Sequence, residues 1–409
     1  VSIPAPRDPV RDWARSGVAY LTGRSAGPPL IPPGTAATVA RALTDQIAEA
    51  TAGGVRLDGA ALLAERAAFT GHRRAGATSA GGACRLLPTA DGWAAVSIAR
   101  PDDPALYGAL IECGELGDDP WPAVAGWLRD HTGDEFDERA ELLGVAAGSV
   151  RPPRAAPASA TDPAAHRSVA GMLVVDFSAL WAGPLCAHVL GLAGARVVKV
   201  ETPSRPDGAR RGNPEFYHLL HAGHRSVMLD PTVADDRAAL HALVSAAGIV
   251  IEASRPRALR GFGLDAEEFV AAGATWISIT AHGRASNRIG FGDDVAASAG
   301  LVAHDAQGLM FVGDAIADPL TGLTAAALAM TAHTRDSGVL HDVSMEGTVA
   351  ATLTGTHDVT AYPDHGGWLV DADDGAVAIA APRARPVYGE APKSGADTDD
   401  VLRDLGIPR

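Results

Sequence analysis

A doubly wound parallel α/β domain joined to a smaller α+β domain is the fold class this sequence predicts, and three observations carry it. Behind residue 168, strand and helix patterns alternate with short connections, the arrangement that builds a parallel sheet. The clearest unit is VVDFSALWAGPLCAHVLGLAGARVVKVE (174–201): an apolar strand, a turn through Ala182-Gly183-Pro184, an apolar helix and a second strand ending in Glu201. Residues 151–167, RPPRAAPASATDPAAHR, lack apolar periodicity and are rich in Pro and Ala, so they read as a linker that divides the chain.

Ahead of the linker, 34–50 and 57–69 are rich in Ala and Leu at helical spacing, 91–99 (DGWAAVSIA) is a short strand, and 123–143 is again largely helical. Behind it follow strand 172–177, helix 185–193, strand 196–200, helix 237–246, strand 249–252, helix 267–272 and strand 275–280. Asp318-Pro319 opens a further helix: the carboxylate can cap orphan N–H groups, Pro loses nothing at a first helical position, and an Ala/Leu run continues the pattern. A faint internal repeat lays 16–43 over 299–328, with Pro32 opposite Asp318, so 1–80 reads as a degenerate half-copy lacking that carboxylate.

Composition narrows the function classes. With 409 residues, 47% hydrophobic and 20% charged, the chain can bury a full core. A net charge of -15 argues against a nucleic-acid partner, which would require clustered Lys and Arg. No uninterrupted apolar run suits a membrane span, and residues 1–20 carry Pro, Arg and Asp where a leader would be apolar, so a cytoplasmic protein is expected. Cys84, Cys113 and Cys186 are widely spaced and form no CxxC; Asp293 and Asp294 have no His or Cys at ligand spacing, so no metal site is expected.

On the residues alone, Asp318 is open to two readings, a helix cap or an anionic nucleophile kept ionised by the positive end of its helix. The segment GDAIADPLTG (313–322) resembles the (V)PIADxxAG pattern of the class III CoA-transferases, the family that includes formyl-CoA transferase, carnitine CoA-transferase and the α-methylacyl-CoA racemases. Residues 174–201 resemble the opening of the same family. The resemblance implies a Rossmann-like large domain and an acyl-CoA:carboxylate CoA-transferase in which Asp318 attacks the thioester, forms an aspartyl anhydride and then carries CoA as an aspartyl thioester. Acyl-CoA and a carboxylic acid would be substrates, with no permanently bound cofactor. The family's CoA-binding segments correspond to 178–182, 202–211, 221–230 and 251–263, which nominates Leu180, Trp181, Ala182, Thr202, Arg211, His224, Arg225, Ala253, Ser254, Arg255 and Arg260 as contacts. Arg210 and Arg257 add to the cationic character, and His282 takes an aromatic position near the thioester. Asp314 is a second acid, and Gly81-Gly82 corresponds to the family's mobile glycine loop.

The order of the pieces departs from the family's. Residues 1–80 form the half-copy, 81–150 resemble the small domain, 168–356 the CoA-binding large domain, and 357–409 the tail that completes it. Family enzymes are interlocked pairs, so a homodimer is expected, with the Ala-rich helices at 34–50 and 319–333 supplying its apolar surface. Two alternatives stand beside transfer. A racemase would require a His where Phe291-Gly292 stands and a Glu where Ala99-Arg100 stands; a non-catalytic CoA-binding subunit would explain the altered CoA segments.

Overall fold

Six parallel strands form the central sheet of the computed structural model, which describes residues 8–152, 165–254, 256–332 and 338–408. Across the sheet they run Val339–Ser344, Thr275–Thr280, Ile249–Glu252, Leu173–Asp176, Arg196–Glu201 and Arg225–Met228. The chain starts in the middle, at Leu173–Asp176, winds outward, and returns to build the other half from Ile249–Glu252. The carboxyl ends of those two neighbours mark the topological switch, where an open sheet leaves a crevice. The two central strands, Leu173–Asp176 and Ile249–Glu252, are buried and read as apolar Leu/Val/Ile runs ending in an acid, because helices cover both faces. The outer strands Arg225–Met228 and Val339–Ser344 were not expected from the sequence. Arg225, His341 and Asp342 interrupt their apolar pattern, which edge strands tolerate.

The front of the chain does not form a separate body. Trp13, Leu43, Ile47 and Leu63 share one core with Leu185, Leu190, Leu320 and Leu323. Helix Ala36–Ala50 packs directly on Ala317–Ala329, so the two Ala-rich helices nominated for a dimer interface cover each other within one chain. Small side chains on both helices let the backbones approach, and the apolar surface argued for a homodimer is used in cis. The likeness between 16–43 and 299–328 is confined to these helices. Before them the first segment has a short helix, Val18–Leu21, whereas the second has a hairpin, Val302–Asp305 with Gly308–Phe311.

Residues 84–149 build a three-stranded antiparallel sheet, Cys84–Pro88, Trp93–Ser97 and Ala147–Ser149, under helices Asp103–Leu110, Trp121–Arg129 and Gly133–Leu143 with a core of their own. The helix expected at 123–143 is two helices, because Thr132 and Glu135 form a capping box that starts a new one. The linker lies mostly outside the described residues. The tail forms a second small sheet against helix Pro9–Ser16, then runs to the edge strand, where Asp397 accepts from the Ser226 N–H at 2.7 Å and Thr398 from Met228 at 3.0 Å. Helix Thr398–Asp404 seals that edge with Val401 and Leu402. No helix among the described residues is long and apolar enough to cross a membrane.

Candidate active site

Asp318 stands in the first turn of helix Ala317–Ala329, half-buried, at the meeting of two helix amino ends. The second belongs to Ala182–Leu192, whose N-cap Trp181 offers no side-chain acceptor. Its first N–H, on Ala182, faces the Asp318 carboxylate and favours the ionised form. Gly322 makes the meeting possible: a Cβ there would lie 2.5 Å from the Ala182 carbonyl oxygen. Gly292 does the same on the other side, since a Cβ would collide with the Asp318 carboxylate. The turn into the helix is strained. Ala315 holds a left-handed φ of 46°, fixed by its N–H donating to Asp293 at 2.8 Å, and Leu180 on the facing loop holds φ 68°.

Burial pushes the Asp318 carboxyl up to about 7, and Asp293 and Asp314 add to the rise, while Arg66 and the Ala182 N–H oppose it. Desolvation and the neighbouring acids thus work against the positive helix end that the sequence suggested would favour the ionised form. Asp293 is itself raised, to about 6, by burial and by Asp314. Asp314 goes the other way. Burial disfavours its charge, but Arg66 and His72 hold it well below the usual carboxylate range.

Arg66 and His72 come from the front of the chain, and sequence reasoning missed them. Arg66 grips Asp314 with two bonds, Nε to Oδ2 at 2.9 Å and an Nη to Oδ1 at 2.5 Å, and lies 5.0 Å over the Trp181 ring. His72 Nδ1 is 3.2 Å from Asp314 Oδ1, and Gly81 packs against the His72 ring. No local pattern signals these contacts. They join residues some 250 positions apart, and an arginine on a short Ala-rich helix reads as solvated.

Of the other nominated residues, Trp181 and Ala182 form the helix end that faces Asp318. Leu180, Thr202, Ala253, Ser254 and His282 lie on loops leaving the carboxyl ends of four adjacent strands, around the switch crevice, and Arg211 follows Thr202 there, exposed and without an ion pair among the described residues. Ser254 Oγ is buried with no partner among the described residues. The His282 side chain is buried, its Nδ1 2.9 Å from Glu346 Oε2 and its Nε2 without a partner among the described residues. Three assignments change. His224 and Arg225 sit at the amino end of their strand, away from the crevice; His224 is buried against Gly191 and pushed down to about 4 by desolvation, and Arg225 is paired with Asp404 at 2.7 Å. Arg260 is paired with Asp265 at 3.1 Å and Glu267 at 3.5 Å. Arg210, likewise, grips Glu201. Arg255 lies outside the described residues. No group of three or more His, Cys, Asp or Glu among the described residues could hold a metal ion.

The family model of CoA-transferase family III matches residues 169–377, about half of the chain, and that span contains Asp318 and the whole central sheet. Succinate--glutarate CoA-transferase of Agrobacterium fabrum is 31% identical over 112 residues, 24% of this chain and 28% of that protein. Formyl-CoA:oxalate CoA-transferase of Escherichia coli O6:H1 is 31% identical over 100 residues, 23% of this chain and 24% of that protein. The chain thus spans about a quarter of the length of these curated relatives. A CAIB/BAIF family protein from Brucella suis is similar in structure at 24% identity, covering 51% of this chain and 66% of that one, with a TM-score of 0.44.

Proposed function

Because the chain belongs to CoA-transferase family III, we propose that it moves coenzyme A from an acyl-CoA to a carboxylic acid with Asp318 as nucleophile. The observation that carries this reading is the Asp318 carboxylate held between two helix amino ends, at a crevice, inside the family-matched span. An Asp318 oxygen would attack the thioester carbonyl; the C–S bond breaks, CoA leaves as thiolate, and a mixed anhydride remains. The thiolate then attacks the aspartyl carbonyl, releasing the donor acid and leaving an aspartyl-CoA thioester. Attack by the acceptor carboxylate expels the thiolate and forms a second anhydride, which the thiolate opens at the acceptor's carbonyl to give the new acyl-CoA and free Asp318. Each attack at the aspartyl carbonyl places negative charge on its oxygen, which the Ala182 N–H at the facing helix end would stabilise. Leu180, Thr202, Ser254 and His282 would line the path of the substrate, with Arg211 as a phosphate contact.

Racemisation is disfavoured by Gly292, since no side chain fits there beside Asp318. A subunit without transfer is the second reading, and the engagement of Arg225 and Arg260, two nominated CoA contacts, in ion pairs is the observation on its side. Incubation with acyl-CoA followed by hydroxylamine or borohydride separates the readings. Transfer predicts a modified Asp318 in the parent protein and neither modification nor turnover in Asp318→Asn; undiminished turnover in that variant would sink the proposal.

A further inference from the structure

We propose that Asp293 is a positioning residue of this site: by holding Ala315 in the left-handed conformation, its carboxylate sets where the Asp318 carboxyl stands. This deepens the reading of Asp318 as nucleophile and rests on it. A buried Ala at a φ of 46° occupies a region that L side chains avoid and Gly accepts freely. Such a conformation persists only where its surroundings impose it. The φ of Ala315 orients the 314–315 peptide plane, and the N–H of that plane donates to Asp293 Oδ1 at 2.8 Å. The bond therefore falls on the group whose direction defines the strain.

From Ala315 the effect reaches Asp318 through the backbone. The Ala315 carbonyl accepts from the Asp318 N–H at 3.0 Å, closing a tight turn at the start of helix Ala317–Ala329. A return of Ala315 to a right-handed or extended φ rotates this turn against Asp314. Asp314 is anchored by its two bonds to Arg66 and by His72, so the rotation is taken up on the Asp318 side. Gly292, the neighbour of Asp293 in sequence, holds the other end of the turn. A Cβ on it would lie 2.5 Å from the Ala315 carbonyl oxygen and would collide with the Asp318 carboxylate. Residues 292 and 293 thus grip the 315–318 turn by a side-chain bond at one end and close backbone contact at the other. They are fixed in their turn by Asp294, which accepts from the Phe291 N–H at 3.0 Å and from Ser97 Oγ of the small domain at 2.7 Å.

The test compares the parent with Asp293→Asn, Asp293→Ala, and Asp293→Ala combined with Ala315→Gly. Acyl transfer from an acyl-CoA to Asp318 is trapped in single turnovers at about pH 8.5, above the range in which Asp318 titrates. Asn keeps an oxygen for the Ala315 N–H, so Asp293→Asn should react within about threefold of the parent. Asp293→Ala should lose about tenfold or more in the saturating rate with KM little changed, because the residue places the attacking group without touching substrate. Adding Ala315→Gly should restore much of that loss, since Gly holds a positive φ without the bond, a rescue that a purely structural role does not predict. Asp293→Ala reacting as the parent does, Asp293→Asn losing as much as Asp293→Ala, or no rescue by Ala315→Gly would each overturn the proposal. Should Asp293→Ala fail to fold, Asp293→Asn decides, a retained rate supporting the proposal and a larger loss overturning it. Crystal structures keep this separate from the nucleophile reading: Asp293→Ala should lose the left-handed Ala315 and displace the Asp318 carboxyl by about 1 Å or more, and an unmoved turn overturns the positioning role. That displacement in a protein whose Asp318 takes no acyl group would refute the nucleophile and leave the positioning standing.

Discussion

At the scale of single residues, the site is a contest between desolvation and placed charge. As the proposed nucleophile Asp318 must be anionic to attack, yet burial and two neighbouring acids raise it to about 7, so its reactive fraction would change across the neutral range. The rate of acyl-enzyme formation should therefore rise as pH increases through about 7 and level off above it, measured by single-turnover trapping between pH 5.5 and 8.5. A rate independent of pH over that span would place the nucleophile elsewhere. The arginines divide in the same physical terms. Arg211 has no competing carboxylate among the described residues, whereas Arg225 is neutralised by Asp404 at the far end of its strand. Calorimetry with free CoA should find Arg211→Ala weakened by roughly tenfold or more, the loss of a charge-assisted bond of about 1.5–3 kcal/mol. Arg225→Ala should bind as the parent does, and the reverse pattern would mean that the phosphates lie elsewhere.

Between elements, the site depends on how closely two helix ends approach. Helices Ala182–Leu192 and Ala317–Ala329 form the most extensive helix pairing among the described residues, and Gly322 lets the Ala182 backbone come close beside Asp318. Gly322→Ala adds one methyl against a backbone oxygen, which cannot swing aside as a side chain could. Overpacking of this kind costs about 1–3 kcal/mol, and the helices must part to accept it. Thermal unfolding should show a lowered Tm together with slower acyl-enzyme formation. Loss of stability with full activity would show that the Ala182 donor is dispensable.

For the molecule as a whole, ionisable groups buried in one core tie stability to pH. Asp293 and Asp294, raised to about 6 and about 7 by burial, take up protons more readily when folded than when unfolded, where the ordinary value is 3.8. Each therefore stabilises less as pH rises from about 4 toward those folded values. His188 and His224, pushed down to about 3 and about 4, act in the other sense: their contribution is intact above 6.5 and is lost as pH falls toward the folded values. The two trends oppose each other in mildly acid solution. Asp294→Asn removes one acid while keeping an acceptor for Ser97, so its Tm relative to the parent should be higher at pH 8 than at pH 5. An unchanged difference would mean Asp294 titrates normally. Since the Ala-rich helices cover each other in cis, light scattering at micromolar concentration should give a mass near 41.7 kDa, and a value near twice that would point to a pairing surface other than those helices.

The sequence by itself determined the parallel sheet, since the two central strands are apolar Leu/Val/Ile runs ending in an acid and Asp-Pro followed by an Ala/Leu run can only begin a helix. It also pointed to Asp318, because the family motif is local, but the cap reading does not hold: the N-cap is Ile316, and Asp318 lies inside the first turn. It could not place Arg66, His72 or Asp404, whose partners lie far along the chain, nor tell Arg211 from Arg225, which look alike until the sheet assigns one to the crevice and the other to the opposite end. The ionisation of Asp318 was beyond it for the same reason. A carboxyl's pKa is set by what surrounds it in space, and here those surroundings come from the front segment, the small helix at Gly292–Ser298 and the first turn of Ala182–Leu192, which only tertiary packing brings together.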